Sequence, residues 1–190
     1  MLLVVCFALT LMSVPIAGGR LSKLADWRPS QAWSILVAVG LQIAIISVFP
    51  GKENTLRLGV HLLSYGFILV FLVANRRVPG LWVVAMGAAM NFVAISANRG
   101  VMPATEAALR AAGRVIAAGD FSNSAALAEP KFAFLGDVFA IPAGLPFANV
   151  FSPGDICIVV GAALVVYQLA RPARGSARPS AVPAAAQTRR

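Results

Sequence analysis

Long apolar runs with almost no charge constrain this chain more than any other feature of its sequence. Five such runs recur along it, at residues about 1–19, 31–49, 58–75, 79–98 and 152–170. A helix needs about 20 residues, at a rise of about 1.5 Å each, to cross a hydrocarbon core of roughly 30 Å. Charged residues make up only 12% of the chain, against roughly 25% in an ordinary soluble domain. The pattern predicts an all-α membrane protein whose five transmembrane helices form a single membrane domain over residues 1–171.

The first run has a second interpretation, because residues 1–19 also have the length and the small terminal residues of a cleaved signal peptide. A signal peptide carries Lys or Arg ahead of its apolar core. Here the basic residues Arg20, Lys23 and Arg28 follow the run instead. We therefore expect a retained helix, although the sequence leaves cleavage open.

The basic residues are distributed unevenly, and their positions predict an orientation. The joints after the first and third runs, together with the tail, carry ten of the 16 Lys and Arg residues. Positive charge is retained on the cytoplasmic side of a membrane, so the N-terminus is expected outside and the C-terminus in the cytoplasm. Residues 172–190 are rich in Pro, Ala and Arg without apolar periodicity, which predicts a disordered basic cytoplasmic tail.

A net charge of +9 would also suit a protein that binds nucleic acid. The cations, however, stand mainly at the ends of apolar runs and in the tail, where they would meet anionic lipid headgroups. We expect membrane lipids as partners and no nucleic acid. A partner membrane protein or a homodimer stays open.

The outer connection over residues 99–151 is the one joint long enough to hold structure of its own. Glu106, Arg110 and Arg114 recur every four residues, which predicts an amphipathic helix from about 103 to 118. Such a helix lies in the membrane interface or covers the bundle as a lid.

A proline-rich segment ends this connection. Pro142, Pro146 and Pro153 exclude one continuous helix through its apolar sequence. Irregular backbone is tolerated at membrane depth only where protein or water covers it. The segment must therefore lie at the outer interface or dip against the bundle.

Two carboxylates stand in this apolar context, and the second has a structural explanation. The sequence SPGD places Ser152 at the N-cap, Pro153 at the first helical position and Asp155 at the third. This is close to a capping box, in which the carboxylate also meets the positive end of the helix dipole. We expect a structural cap here in preference to a catalytic group.

The first carboxylate, Asp137, has no such local partner. A buried ionised carboxylate costs several kcal/mol unless it is paired or hydrogen-bonded. Arg99, Asn98, Asn91 and His61 are predicted on the same side and could supply donors. Two interpretations stay open: a polar pin that holds the connection on the bundle, or a centre for proton transfer or ligand binding.

Motifs for cofactors and metals are missing from the sequence. The chain has one histidine, which excludes a multi-histidine metal site, so we expect no cofactor and no metal. Cys6 and Cys157 both fall in apolar runs near the predicted outer surface. We expect two thiols, with a disulfide as the open alternative.

Several motifs, taken in order, identify a family. They are GGRLSKL after the first run, NRRVPGLW at the third joint, NxxxxxxNRGVMP closing the fourth run, then FLGD, and NVFSPGD before the last run. Together they resemble the bacterial integral-membrane family known as domain of unknown function 5317, over nearly the whole chain to about Arg171. The resemblance implies a multi-helix protein of the bacterial cell membrane. It implies no activity and transfers no catalytic residue.

Function follows only in outline. We expect noncatalytic binding of a lipid headgroup, a small envelope ligand or a partner membrane protein at the outer face, where most of the candidate polar residues gather. The first alternative is an intramembrane hydrolase or lipid transferase that uses Asp137 and His61 as acid and base. The second is a small transporter or channel subunit.

Overall fold

The chain is mostly helical in the computed structural model, which describes residues 2–48, 55–114 and 124–171. The helices in these ranges are α1 (Leu2–Ile16), α2 (Ser22–Ala25), α3 (Ala32–Val48), α4 (Thr55–Ala74), α5 (Leu81–Ala97), α6 (Glu106–Ala111) and α7 (Pro153–Ala170). The predicted tail over 172–190 lies outside the described residues.

The five long helices coincide with the five apolar runs, but three of their ends differ from prediction by two or three residues. Helix α4 begins at Thr55, three residues before the predicted start at 58. Helix α1 ends at Ile16 instead of residue 19, because Gly18 turns the chain in a left-handed conformation (φ 76°) and the short helix α2 follows. Helix α5 begins at Leu81 instead of Pro79, because Gly80 (φ 92°) occupies the N-cap.

The long helices pack as two groups that meet between α4 and α5. Helices α1, α5 and α7 form one group, and α3 pairs with α4 in the other. At one end of the bundle the amide of Arg20 donates to the carbonyl of Ala170 (2.8 Å) and the amide of Ser30 to Oδ1 of Asn75 (2.9 Å). We call this the basic end, and the opposite one the cap end.

The lengths of the helices bear on whether each of them can cross a membrane. Among the described helices, α7 is the one that is both long and apolar enough to cross. Four other apolar stretches are 10–17 residues long, namely Val4–Ile16, Ala32–Ala44, Leu58–Ala74 and Leu81–Ala97. The five transmembrane helices predicted from the sequence are therefore not established by helix length.

Many exposed side chains of the long helices are large and apolar, whereas many buried ones are small or polar. Many buried residues of the long helices are small or polar, among them Ser34, Ala38, Ser64, Gly87, Ala94, Gly161 and Ala170, beside larger ones such as Val14, Leu81 and Ile95. Large apolar side chains cover the outside, among them Leu9, Met12, Leu36, Leu69 and Trp82, with Leu36 72% exposed. Helices α5 and α7 thus approach through small residues, whereas Val14 and Val166 form the contact between α1 and α7.

The connection between α5 and α7 is not helical throughout, which corrects the all-α prediction. We call its described residues, 99–114 and 124–151, the cap. Strand β1 (Met102–Pro103) pairs in parallel with β2 (Ser124–Ala125), and β3 (Phe139–Ile141) pairs antiparallel with β4 (Asn149–Phe151). Proline cannot donate in a helix, and the two strand pairs give this backbone its hydrogen-bond partners instead.

Helix α6 is shorter than predicted and packs within the cap. It covers Glu106–Ala111, whereas residues 115–118 of the predicted helix lie outside the described part of the chain. The Thr105 hydroxyl accepts from the amide of Ala108 at 3.2 Å and caps the helix. Its buried residues Ala108, Leu109 and Ala112 pack on Val150 of β4, so the hairpin and α6 share one small core.

Candidate functional site

Asn91, Ser152 and Asp155 form a closed hydrogen-bond network between α5 and α7. The Asn91 amide Nδ2 donates to Oδ1 of Asp155 at 2.9 Å, and the Ser152 hydroxyl donates to Oδ1 of Asn91 at 2.8 Å. Ser152 Oγ also accepts from the Asp155 amide, and Asp155 Oδ2 accepts from the Ser152 amide, both at 3.0 Å. Ser152 and Asp155 therefore form a capping box at the start of α7, and Asn91 joins this box to α5.

Glycines allow α5 and α7 to approach closely enough for this network. Gly80, at the N-cap of α5, lies beside Gly161 of α7, and Gly87 lies beside Gly154. The two glycines on each side are seven residues apart, and the two helices run in opposite directions. A Cβ on Gly161 would stand 2.6 Å from the Val84 amide nitrogen, and one on Gly154 would overlap Oδ1 of Asn91. Small residues at these positions are what permits the contact, as in membrane helix pairs.

His61 belongs to a second polar cluster, between α3 and α4. Its Nδ1 lies 3.4 Å from Nε2 of Gln42, which also donates to the Ser64 hydroxyl at 2.7 Å. The Ser64 hydroxyl in turn donates to the His61 carbonyl at 2.7 Å. The imidazole contacts the ring of Tyr65, with centroids 4.7 Å apart. The histidine is 4% exposed and bridges two helices.

Asn98 fastens the cap to the end of α5. Its amide Nδ2 donates to the carbonyls of Ala94 and Lys131, both at 2.7 Å, while its Oδ1 accepts from the Lys131 amide at 2.9 Å. Leu135, four residues beyond Lys131, packs against Ala94, Ile95 and Met102. The segment that leads to Asp137 therefore lies against the bundle, one of the two placements predicted for this region.

Asp137 is buried in the cap, with 4% of its surface exposed. Its amide donates to the Pro103 carbonyl at 2.8 Å and its carbonyl accepts from the Thr105 amide at 3.1 Å, which forms an isolated parallel bridge to Ala104. Gly136 precedes it where a Cβ would overlap the Pro103 carbonyl. The pairing of the Asp137 carboxylate with Arg99 stays a prediction.

Contacts with neighbouring side chains or backbone hold three of the candidate residues in place. Asn91 joins Ser152 and Asp155, Asn98 binds the Lys131 backbone, and His61 contacts Gln42 and Tyr65. Within the described ranges no group of three or more His, Cys, Asp and Glu side chains is placed to hold a metal ion. Cys6 and Cys157 are both free and half-buried.

An apolar groove lies where the two helix groups meet, and sequence reasoning did not find it. It has a volume of about 540 Å³ and runs between α4 and α5. Its walls are formed chiefly by Leu62, Tyr65, Leu69, Leu72, Ala85, Ala88, Ala89 and Phe92. Arg76, Leu81 and Trp82 line it at the basic end. No local motif encodes such a groove, because it depends on the spacing between two helices.

One known protein family matches most of this chain. The Family of unknown function (DUF5317) matches residues 28–167, which run from just before α3 almost to the end of α7. The chain belongs to this family. The resemblance predicted from the sequence motifs is therefore confirmed. DUF5317 has no assigned function, so membership by itself transfers no active-site residue.

A relative shares most of the same region of this DUF5317 chain. An uncharacterized protein of Thermotoga maritima is 30% identical over 141 residues, which cover 73% of this chain and 76% of the relative. No solved structure matches the chain. The groove and the polar clusters are accordingly the basis for any statement about what this DUF5317 protein does.

Proposed function

We propose that this protein is a multi-pass membrane protein whose helices α1, α3, α4, α5 and α7 all cross the bilayer, and that it binds a membrane lipid noncatalytically. The observation that carries the binding proposal is the apolar groove between α4 and α5, open along helices whose outward faces are themselves apolar.

The exposure of many large apolar side chains supports the proposal that the helices lie in a membrane. A soluble monomer rarely exposes contiguous apolar patches beyond a few hundred Å², whereas large apolar residues are exposed on all five long helices. Seventeen residues of helix, as in α3 and α5, rise roughly 26 Å at 1.5 Å each. A shortfall of a few Å against a core of roughly 30 Å is met by local thinning of the bilayer.

The orientation is proposed from charge alone. The basic end carries Arg20, Lys23, Arg76 and Arg77, and retention of positive charge places that end in the cytoplasm. The N-terminus and the cap then face outward, and the C-terminus faces inward. The corresponding location is the plasma membrane of a bacterial cell.

The shape of the groove favours an acyl chain as its occupant. From Leu62 to Val73 the groove follows α4 for roughly 17 Å at 1.5 Å per residue, more than the half-thickness of about 15 Å that one leaflet occupies. Tyr65 and Arg76 are the polar side chains among its lining residues. A hydrocarbon chain matches this lining, because nearly all of it is apolar and a polar ligand would find few hydrogen-bond partners there.

Binding at the groove has better structural support than binding or catalysis at the outer face. Asn91, Asn98, Ser152 and Asp155 use their side chains in hydrogen bonds that hold the helices and the cap together. These contacts are those of structural groups. The proposed lipid site therefore moves from the outer polar residues to the space between α4 and α5.

The test is to fill the groove and measure the lipid that remains bound. Ala85 and Ala89 stand one turn apart on the groove wall, so Ala85→Phe with Ala89→Phe would occupy it. Val93→Phe, on an exposed part of the same helix outside the groove, is the matched control. Each full-length protein is purified in detergent, and its phospholipid content is measured by mass spectrometry.

We expect wild type and Val93→Phe to retain near-stoichiometric phospholipid and the groove-filled variant to lose most of it. Equal retention by all three proteins would refute the proposal. Thermal melting of each protein checks that the loss is not unfolding, and the milder Ala89→Leu provides a second variant. A shift from dimer to monomer on filling the groove, with lipid unchanged, would assign the groove to a second copy of the chain and would also refute it.

A further inference from the structure

The groove is apolar along most of its length and cationic at one end. Arg76 is the charged residue among those that line it, and it stands two residues after the end of α4 at Ala74. Trp82, which is 68% exposed, lines the same end from α5. Leu62, Tyr65 and Phe92 line the other end, without a formal charge. A ligand that fits this polarity has an apolar chain and an anionic group.

Hydrogen bonds hold the joint that carries Arg76. Asn75 is buried, and its side chain accepts from the Ser30 amide at 2.9 Å and donates to the Ser30 carbonyl at 2.8 Å. It also donates to the Phe71 carbonyl at 2.8 Å. The two joints at the basic end are therefore fixed to each other before any ligand arrives, which lowers the ordering cost of binding.

A second cation stands close along the chain to Ser30, the residue that Asn75 holds. Arg28 precedes Ser30 by two residues, so its Cα lies within about 7 Å of that of Ser30. The side chains of Arg28, Arg76 and Arg77 are all exposed. Asp26 is the acidic residue of these joints, and it pairs with Lys23 at 3.3 Å.

We propose that the groove selects an anionic phospholipid, an inference that rests on the lipid-binding function proposed above. The acyl chain lies along α4 and α5, and the phosphate and any further headgroup charge lie at Arg76, with Arg28 adding to the positive field. Trp82 occupies the level of the headgroups, where amphipathic rings are enriched. A free phosphate ion would leave the apolar groove unused.

The test compares an anionic lipid with a neutral one at this end of the groove. The full chain, with Trp27→Phe and Trp33→Phe so that Trp82 is its one tryptophan, is reconstituted in vesicles of phosphatidylcholine mixed with phosphatidylglycerol. Quenching of Trp82 by brominated chains on either lipid gives their relative binding constants. Arg76→Gln is the test variant, Arg76→Lys keeps the charge, and Arg20→Gln removes a charge from the same end outside the groove.

We expect phosphatidylglycerol to be preferred, and Arg76→Gln to reduce the preference about fivefold, the effect of one cation near a membrane surface. Arg76→Lys should keep most of the preference, and Arg20→Gln should change it by less than half as much as Arg76→Gln. Equal losses with Arg20→Gln and Arg76→Gln would reduce the effect to general surface charge and overturn the inference. So would equal binding of the two lipids by the wild-type chain.

The two proposals fail in different ways. If groove filling removes the bound phospholipid but the wild-type chain shows no headgroup preference, only the anionic-lipid inference is wrong. If groove filling leaves the bound phospholipid in place, the lipid-binding function itself is wrong, whatever the preference measured at Trp82.

Discussion

The side-chain amide of Asn91 donates a 2.9 Å hydrogen bond to Oδ1 of Asp155, linking the middle of α5 to the first turn of α7. The Oδ1 atom of the same asparagine accepts from the Ser152 hydroxyl at 2.8 Å. One side chain thus satisfies both members of a capping box on another helix. The start of α7 is thereby fixed against α5, and the cap strand β4 that leads into it is fixed as well.

Replacing Asn91 should loosen the α5–α7 contact. Asn91→Ala leaves the buried Ser152 hydroxyl and one oxygen of Asp155 without their partner, and an unsatisfied buried group costs about 1–3 kcal/mol. We expect the free energy of unfolding in detergent to fall by that amount. Because Asn91 and Ser152 share one network, Asn91→Ala and Ser152→Ala together should cost less than the sum of the two. Strict additivity would contradict the network.

The glycine contact between α5 and α7 should not tolerate a methyl group. Gly154→Ala would drive a Cβ into Oδ1 of Asn91 and so combines overpacking with loss of the hydrogen bond to Ser152. We expect a cost of at least about 2 kcal/mol, since overpacking alone costs about 1–3 kcal/mol.

Gly59→Ala is the control for this substitution. Gly59 lies in α4 with no atom within 4 Å of an added Cβ, and alanine is the better helix former by about 0.5–1 kcal/mol. The control should therefore be neutral or slightly stabilising in the same unfolding measurement. Equal losses for both variants would show that the α5–α7 contact is not tight at Gly154.

The hydrogen bonds around Gln42 should contribute little to the free energy of unfolding, although their geometry is good. Gln42→Leu removes the hydrogen bond to Ser64 and the contact with His61. Between membrane helices such bonds average about 0.6 kcal/mol, because the separated helices also find partners. We expect a loss of less than about 1.5 kcal/mol in the free energy of unfolding. A loss above about 3 kcal/mol would indicate a soluble-type core, in which an unsatisfied buried group bears its full cost.

The predicted pair of Asp137 and Arg99 is testable by a double-mutant cycle. Asp137 is buried and Arg99 is exposed, so the loss of a pairing arginine would leave the carboxylate as an uncompensated buried charge. If the two side chains pair, Asp137→Asn and Arg99→Gln should each destabilise the protein, and the double variant should recover at least about 1 kcal/mol of the summed loss. Additive losses would mean that the carboxylate is held by other donors.

The long helices were predictable because their signal is local. Apolar runs gave the bounds of α3, α5 and α7 to within about two residues, the usual uncertainty of a helix end. The SPGD sequence likewise indicated the cap formed by Ser152 and Asp155, since an N-cap and its third helical residue are neighbours in the chain. Gly18 and Gly80 moved two helix ends because a left-handed turn overrides apolar composition at the end of a run.

The contacts between distant residues could not be predicted in this way. Asn91 was one of several possible donors to Asp137, but its side chain bonds Asp155 and Ser152, which are 64 and 61 residues away along the chain. Which donor meets which carboxylate depends on the close α5–α7 approach that Gly87 and Gly154 permit. The α4–α5 groove follows from the weak contact between the two helix groups, and the strands of the cap follow from pairing between distant segments.

The central claim, that a lipid chain occupies the α4–α5 groove, is tested most directly by photocrosslinking. The full-length protein is reconstituted with a phospholipid that carries a diazirine on its acyl chain, irradiated, and digested for mass spectrometry. We predict crosslinks concentrated on groove residues such as Leu69, Leu72 and Ala89, and reduced by unlabelled phospholipid in excess. Crosslinks spread evenly over the exposed apolar faces of α1, α3 and α7, with no enrichment in the groove, would contradict the claim.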